Sequence, residues 1–375
     1  MKRKKIEFYR HNLNNKDIKE CIRVLNSIFL TTGEVVKEFE KKFARYIGAK
    51  YCVGVSSCTD ALFLALKYLG IGPGDEVITT VMTFAASSNV IEHCGAKPVF
   101  VDVEESTGNL DANLIESAIT KKTKAILVVH LYGLMCDMKK IHAIAKKHGL
   151  KVIEDAAHCI EGKRDGIRVG GLSDFACFSF YATKTITSGE GGAITTNNKK
   201  AFEWFIRARI HGMSKNAVDR YVKRYEPNDL EFLGYKANMT NIAASLLLHQ
   251  LERINSLLHK RERIARMYDK AFSKNPAIRL PSFPAKSLHA RYLYTIWVDP
   301  KRRDTYINAI QNSGISISVH FKPLHLLSYY KKKYGYKRGT FKGAEKIGGS
   351  TISLPFYPRL TTKEIHHIIN VVNSI

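Results

Sequence analysis

Three side chains stand in an order that suits chemistry on an amine. Asp155 follows a predicted strand at 151–154, and Ser179 and Lys184 lie five residues apart shortly before the Gly-rich turn 189–192. A lysine amine can form a Schiff base, a hydroxyl can bind phosphate, and a carboxylate can keep a ring nitrogen protonated. Taken alone, an Asp after a strand is commonly a cap and a Lys before Gly is commonly solvated. In this order, the three residues fit a pyridoxal 5′-phosphate (PLP) site.

Alternating helix and strand patterns position these residues. Periodicity predicts helices at 33–46, 59–66, 84–93 and 138–148, and strands at 51–55, 76–80, 98–101, 124–129, 151–154 and 175–180. Such alternation is typical of an α/β fold with a mostly parallel sheet covered on both faces. Ligands of such sheets bind at the carboxyl ends of the strands, which is where Asp155 lies.

The pattern changes after residues 192–196. One long helical pattern covers 238–272, three prolines follow it, and further strands are predicted at 294–298 and 315–319. We therefore expect a large α/β domain over residues 1–250 and a smaller C-terminal α+β domain over residues 251–375.

Composition excludes several classes of protein. The chain has 375 residues, of which 45% are hydrophobic and 25% are charged, as in ordinary globular proteins. Apolar runs stay well short of the roughly 20 residues of a membrane span, the basic N-terminus lacks the apolar region of a signal peptide, and the seven cysteines include no CxxC pair. We expect a soluble, cytoplasmic, reduced protein with no metal site and no membrane partner.

The net charge of +25 is spread along the whole chain. A solvated lysine-rich surface explains this charge, and an anionic small ligand such as a nucleotide diphosphate is the main alternative. Because no zinc-finger or RNP-like signature accompanies the basic residues, we expect no nucleic-acid partner.

Over nearly its whole length the chain resembles the DegT/DnrJ/EryC1/StrS family of sugar aminotransferases. The segment 178–184, Phe-Ser-Phe-Tyr-Ala-Thr-Lys, with Gly-Glu-Gly-Gly at 189–192, is the most specific part of the resemblance. Other matching segments are 30–33, 56–61, 72–78, 83–84, 95–102, 130–133, 154–158, 211–215, 234–236 and 320–325. The resemblance implies the fold-type-I architecture of PLP-dependent aminotransferases, with PLP as the cofactor.

The resemblance also implies roles around the cofactor ring. Lys184 matches the Schiff-base lysine that also carries the proton, and Asp155 matches the carboxylate that keeps the pyridine nitrogen protonated. Phe84 matches the aromatic side chain that stacks on the ring, although an ordinary core Phe is the alternative. His158 matches a position near the ring hydroxyl.

Phosphate binding is expected where a strand turns into a helix. Cys58 and Thr59 lie at this turn, where exposed N–H groups and the helix dipole favour an anion, and Ser179 supplies a hydroxyl. Asp60 would repel phosphate, so we expect it to cap the helix or to face away.

A second chain is expected to complete the site. In the family, the segment that contains Lys236 and Asn238 reaches across a dimer interface to the neighbour's phosphate. Which of the two side chains does so is open, because this chain has Tyr-Lys-Ala-Asn at 235–238 where many relatives carry Asn-Tyr-Arg. The resemblance thus implies a homodimer with shared active sites.

Four residues match positions on the substrate side of the family's active site: Thr32, His211, His320 and His325. A structural role is the alternative for each isolated histidine.

The resemblance implies a transaminase that moves an amino group from glutamate to a nucleotide-linked keto sugar, releasing 2-oxoglutarate. The segments 211–214 and 234–236 are most similar to members that act on a UDP-linked 4-keto sugar and make an amino sugar for glycan or polysaccharide biosynthesis. Relatives that dehydrate sugars carry His in place of the Schiff-base lysine, so Lys184 argues against that activity. A non-enzymatic regulator on the same scaffold is the remaining alternative, and it leaves Asp155, Ser179 and Lys184 unexplained.

Overall fold

A seven-stranded sheet forms the centre of the computed structural model, which describes residues 5–214 and 227–375. Its strands are β1 (Tyr51–Val55), β2 (Glu76–Thr80), β3 (Lys97–Val101), β4 (Thr123–Val129), β5 (Lys151–Asp155), β8 (Phe175–Ser179) and β9 (Gly192–Thr196), in the order β1-β9-β8-β5-β4-β2-β3. β9 runs antiparallel to its neighbours β1 and β8, and the other neighbouring strands pair in parallel. The predicted α/β class with a mostly parallel sheet is confirmed.

Helices cover both faces of this sheet. In the first part of the chain they are α1 (Asn15–Leu25), α2 (Glu34–Ile47), α3 (Cys58–Tyr68), α4 (Ala86–His93), α5 (Met138–His148), α6 (Lys199–Ala208) and α7 (Asn241–Glu252). Alternate residues of β4 point to opposite faces, as strand geometry requires. Ile126 and Val128 pack with α2, α5 and α7, whereas Leu127 and Val129 pack with α3 and α6. Two apolar layers therefore hold the sheet and fix the positions of its strand ends.

The C-terminal part has its own apolar cluster. It contains α8 (Ile254–Phe272), α9 (Arg303–Asn312), α10 (Ser328–Tyr334), α11 (Lys342–Ser350) and α12 (Thr362–Asn373), with the antiparallel pair β11 (Tyr294–Trp297) and β12 (Thr351–Leu354). Three two-residue strands, β6 (Lys163–Arg164), β7 (Ile167–Arg168) and β10 (Ser287–Leu288), form a small separate sheet. Ile6 also packs in this C-terminal cluster, so a residue from the N-terminal segment contributes to it. The domain boundary at residue 250 stays a prediction.

Two predicted elements differ in the structure. The helical pattern at 238–272 is two helices, because the chain leaves helical geometry at Arg253. The Arg253 guanidinium donates hydrogen bonds to the Asp17 carboxylate and, at 2.9 Å, to the carbonyl oxygen of Asn12. The prediction of a strand at 315–319 is wrong. Ile315 pairs with Ile6 and Ser318 pairs with Ser353, so the two ends of this segment bridge to different partners and form no continuous ladder.

None of the helices within the described ranges is both long enough and apolar enough to cross a membrane.

Candidate active site

A cavity of about 680 Å³ lies at the carboxyl ends of the central strands. Val129, Asp155 and Ser179, the last residues of β4, β5 and β8, form part of its wall. The cavity brings together eight of the residues predicted from the sequence: Cys58, Thr59, Phe84, Asp155, His158, Ser179, Lys184 and His320. Residues that lie up to 262 positions apart in the chain, from Cys58 to His320, thus meet in one cavity.

The N-terminus of α3 forms one end of the cavity. Ser57 caps this helix by accepting a hydrogen bond from the Asp60 amide at 3.0 Å. The Asp60 carboxylate accepts hydrogen bonds from the hydroxyls of Ser56 and Ser57 at 2.6 and 2.8 Å, so it faces the cap, as expected. The amides of the first helical turn, at Cys58 and Thr59, have no acceptor inside the helix and favour an anion.

Gly192 allows β9 to lie directly against this turn. A Cβ atom at position 192 would lie 2.3 Å from the carbonyl carbon of Ser57, 2.5 Å from its oxygen and 2.6 Å from the amide nitrogen of Cys58. A Cβ at Gly191 would lie 2.6 Å from the Ser188 hydroxyl oxygen. The Gly-rich segment therefore supports the anion-binding turn through close backbone packing, which a side chain would prevent.

The Asp155 carboxylate is buried and held by hydrogen bonds. Its Oδ2 accepts from the Ser87 hydroxyl at 2.7 Å, and its Oδ1 accepts from the Ala157 amide at 3.1 Å. Ser87 also lies 2.9 Å from the hydroxyl oxygen of Thr83. Because the Ser87 hydroxyl and the Ala157 amide both donate to it, the carboxylate has a fixed position at the cavity wall. Ser87 belongs to no motif and was not predicted from the sequence.

The Lys184 amine contacts Tyr292, a second residue that sequence analysis missed. Lys184 Nζ lies 3.3 Å from the Tyr292 hydroxyl and 4.3 Å from the centre of the ring. The same hydroxyl lies 3.1 Å from that of Thr183, and the ring stacks on His158 with centroids 4.3 Å apart. Tyr292 comes from the segment before β11, so only the folded chain places it beside Lys184.

Two uncharged histidines face the amine. Burial lowers the pKa of His158 well below its usual value, and the positive charge of Lys184 lowers it further. Burial, with Lys184 again contributing, lowers the pKa of His320 to about 4. Both imidazoles are therefore neutral at neutral pH. The Nδ1 atom of His158 is buried with no hydrogen-bond partner in the part of the chain that the structure describes.

Phe84 is not a core residue. Its side chain is 63% exposed although it forms part of the cavity wall, and its ring centre lies 6.2 Å from that of Phe321. An exposed ring in a concave site can stack on a flat ligand. The geometry therefore favours the binding role of Phe84 over the alternative.

Thr32 and Asn238 lie together outside this cavity wall. The Thr32 hydroxyl donates to the carbonyl oxygen of Met239 at 2.6 Å and accepts from the Asn238 amide at 2.7 Å. The backbone of Asn238 pairs with Val55, immediately before the anion-binding turn. Lys236 and His211 are exposed nearby, and Ile210 pairs with Lys236. The cross-interface roles expected of Lys236 and Asn238 depend on a second chain, and the substrate contacts expected of Thr32 and His211 stay predictions. Lys215, at the end of a segment that resembles the family, lies outside the described residues.

His325 occupies a structural position. Its side chain is 0% exposed, its Nε2 lies 2.9 Å from the Glu345 carboxylate, and its ring lies 4.9 Å from that of Phe341. The substrate contact expected of His325 therefore has no support in this geometry, because the side chain is enclosed among residues of α11 and the loop before it. Its place matches the structural alternative.

The residues in the cavity fit PLP. The amides at the start of α3 and the Ser179 hydroxyl suit a phosphate, and the Asp155 carboxylate suits a protonated ring nitrogen. The exposed Phe84 ring suits a flat heterocycle, and the unpartnered Nδ1 of His158 is a buried polar atom that a ligand in the cavity can satisfy. In the described ranges, no group of three or more His, Cys, Asp or Glu side chains is arranged to hold a metal ion.

Comparisons with known proteins agree with this fit. The model of the DegT/DnrJ/EryC1/StrS aminotransferase family matches residues 11–373. Spore coat polysaccharide biosynthesis protein SpsC of Bacillus subtilis is 42% identical over 97% of this chain and 95% of its own. GDP-perosamine synthase of Caulobacter vibrioides is 37% identical over 92% of this chain and 91% of its own.

A solved structure is similar over the whole fold. The PLP-form of Spr1654 from Streptococcus pneumoniae has a TM-score of 0.92 and 32% sequence identity, and the match covers 99% of this chain and 98% of that one. The expected fold type I, the expected cofactor PLP and the resemblance to the aminotransferase family are all confirmed.

Proposed function

Because the chain belongs to the DegT/DnrJ/EryC1/StrS aminotransferase family and is a PLP-dependent transaminase, we propose that it transfers an amino group from glutamate to a keto sugar linked to a nucleotide. The observation that carries the proposal is the cavity in which Lys184, Asp155 and the start of α3 meet. These groups provide an amine, a fixed carboxyl group and an anion-binding helix end within one concave site.

PLP supplies an aldehyde that attaches to amines and a ring that takes up an electron pair. In the proposed arrangement, the amides at Cys58 and Thr59 and the Ser179 hydroxyl bind its phosphate. The Asp155 carboxylate would keep the ring nitrogen protonated. The hydrogen bonds from Ser87 and Ala157 keep this carboxylate in place. Each of these groups belongs to a strand end or a helix start, so the rigid sheet sets their spacing.

Lys184 has two tasks in this proposal. Its amine would hold the cofactor through the aldehyde group, and Nζ would take a proton from the amino donor and return a proton to the new amino sugar. The Tyr292 hydroxyl, 3.3 Å from Nζ, gives the Lys184 amine a polar position within the cavity. His158 and His320 are uncharged at neutral pH, so neither adds a positive charge beside this amine.

The substrate that we propose is a UDP-linked 4-keto sugar, converted to an amino sugar for a glycan or polysaccharide. Two relatives support this pathway class by name, a spore coat polysaccharide biosynthesis protein and GDP-perosamine synthase. The net charge of +25 suits a diphosphate. The name of the second relative contains GDP, so the test includes keto sugars linked to UDP and to GDP.

The test is a panel of UDP-linked and GDP-linked keto sugars incubated with glutamate, with product masses and 2-oxoglutarate measured together. The proposal expects one sugar in which an amino group replaces the carbonyl oxygen, with an equal amount of 2-oxoglutarate. Lys184→Ala should give neither product. A sugar that loses an oxygen without gaining nitrogen would instead indicate a dehydratase, and salt-sensitive binding of nucleic acid without PLP would indicate a regulator.

We also propose a homodimer with shared active sites. Ile28 and Leu233 are 90% and 87% exposed, and Leu233 shortly precedes the segment that carries Lys236 and Asn238. The residues after Ile28 are tied to this segment, because the carbonyl oxygen of Phe29 accepts from the Asn241 amide at 2.9 Å. Large exposed apolar side chains of this kind are typical of an interface.

Mixed dimers test the shared site. If each cavity uses residues of both chains, then a mixture of inactive Lys184→Ala and Asn238→Ala chains should recover part of the wild-type activity after exchange of subunits. If a confirmed mixed dimer of the two variants has no activity, Asn238 does not contribute to the neighbouring chain's active site. The same experiment with Lys236→Ala distinguishes the two side chains.

A further inference from the structure

We propose that Ser353 is a positioning residue that fixes His320 as a hydrogen-bond donor, so that this wall of the cavity binds an acceptor oxygen of the sugar. The sugar as the recipient rests on the proposed function. The state of the His320 ring rests on contacts within this chain alone.

Ser353 lies in β12 and is 0% exposed. Its backbone amide donates to the carbonyl oxygen of Ser318 at 2.8 Å, and its own carbonyl oxygen accepts from the Ser318 amide at 3.2 Å. The backbone amide and carbonyl of Ser353 thus both have hydrogen-bond partners in Ser318. Its hydroxyl lies 2.8 Å from Nδ1 of His320, which is the hydroxyl's hydrogen-bond partner among the described residues.

This single contact determines the direction of the hydrogen bond. A serine hydroxyl carries one hydrogen, and a neutral imidazole carries its hydrogen on one of two nitrogens. If Nδ1 donated to Ser353, the hydroxyl hydrogen would be buried without an acceptor, which folded proteins avoid. Ser353 therefore donates to Nδ1, and the hydrogen of the His320 ring must reside on Nε2.

The ring is neutral and held in place. Burial and the nearby charge of Lys184 lower the pKa of His320 to about 4, so the ring carries one hydrogen at neutral pH. The carbonyl oxygen of His320 accepts a hydrogen bond from the Tyr132 hydroxyl. Phe8 stacks on the ring at 5.8 Å, and Phe321 packs against it edge-on at 4.9 Å.

A donor at this position selects for hydrogen-bond acceptors on the ligand. His320 lines the cavity, and within the described chain its Nε2 has no protein acceptor, so the N–H is available to a ligand. Such a donor binds a hydroxyl or carbonyl oxygen and does not bind an ammonium group, which has donors only. Ser353 thereby makes this wall select for oxygen on the sugar, although Ser353 does not line the cavity itself.

Nitrogen NMR tests the tautomer without any substrate. Holoenzyme labelled with ¹⁵N-histidine should show His320, identified by the signals missing from His320→Asn, as the tautomer with hydrogen on Nε2. Hydrogen on Nδ1 in the wild type would overturn the proposal. In Ser353→Ala the ring should become a mixture of both tautomers. Ser350→Ala, which removes another buried hydroxyl that bonds the carbonyl oxygen of Lys346 at 2.8 Å, is the matched control and should leave the tautomer unchanged.

Kinetics test the consequence for the substrate. Loss of one oriented hydrogen bond should raise the KM for the keto sugar about tenfold in Ser353→Ala, with the KM for glutamate unchanged. Equal KM values in Ser353→Ala and wild type, or an equal rise for both substrates, would overturn the role in sugar recognition. A protein that aminates no sugar in the panel would refute the proposed function, while the NMR result would still decide the tautomer.

Discussion

The close contact between Gly192 and the turn before α3 predicts the effect of a single methyl group. In Gly192→Ala the new Cβ would lie 2.3, 2.5 and 2.6 Å from three backbone atoms of Ser57 and Cys58. Ordinary contact begins at about 3.4 Å, so each overlap is close to 1 Å. Because these atoms belong to the backbone, no rotamer change relieves the overlap, and either β9 or the start of α3 must move.

The expected cost has two parts. Overpacking of a well-packed site costs about 1–3 kcal/mol, and three backbone overlaps place Gly192→Ala at the upper end of this range. Movement of the first turn of α3 also misdirects the amides that bind phosphate. A loss of about 1.4 kcal/mol in PLP binding corresponds to a tenfold rise in Kd, which we take as the minimum effect.

Urea unfolding of the apoprotein and titration with PLP measure the two parts separately. Gly72→Ala is the matched control, since the nearest atom to its new Cβ would be 3.9 Å away. This control should change the free energy of unfolding by less than about 0.5 kcal/mol and leave the Kd for PLP unchanged. If Gly192→Ala behaved like Gly72→Ala in both assays, β9 would not support the phosphate turn and the reasoning would be refuted.

Two further predictions follow from the groups around Lys184. As the pH falls from 6.5 towards 4, the wild type should lose about 3 kcal/mol more unfolding free energy than His320→Asn, because the folded pKa of about 4 lies below the unfolded value of about 6.5 and the unfolded chain therefore binds more protons. Urea unfolding of both proteins at a series of pH values checks this, and parallel curves would contradict the neutral, buried state of His320. Tyr292→Phe keeps the ring but removes the hydroxyl 3.3 Å from Lys184 Nζ, so the half-reaction with glutamate should slow about tenfold in stopped-flow absorbance, and an unchanged rate would exclude a role for the hydroxyl.

The sequence was informative where the chemistry is local. The strands that end at Asp155 and Ser179 were predicted from their local sequence patterns. Alternating burial on the two faces of β4 follows from the same two-residue period. The cavity at the strand ends followed from the parallel topology, and family motifs named most of its wall.

Long-range contacts were beyond prediction from sequence. Ser87 and Tyr292 belong to no motif that the sequence revealed, and their roles depend on atoms 68 and 108 residues away, in Asp155 and Lys184. At the break between α7 and α8, Arg253 forms an ion pair with Asp17, which lies 236 residues away in the sequence. Helical periodicity continues across Arg253, so local pattern alone predicted one helix.

The covalent attachment of the cofactor to Lys184 is the central claim, and one measurement tests it directly. Purified holoenzyme is reduced with borohydride, digested and mapped by mass spectrometry. The arrangement of Lys184 opposite Asp155 predicts a stable pyridoxyl label on the peptide that contains Lys184, with no label after Lys184→Ala. A label on another lysine, or no label in a protein that holds PLP, would contradict the proposed chemistry of the site.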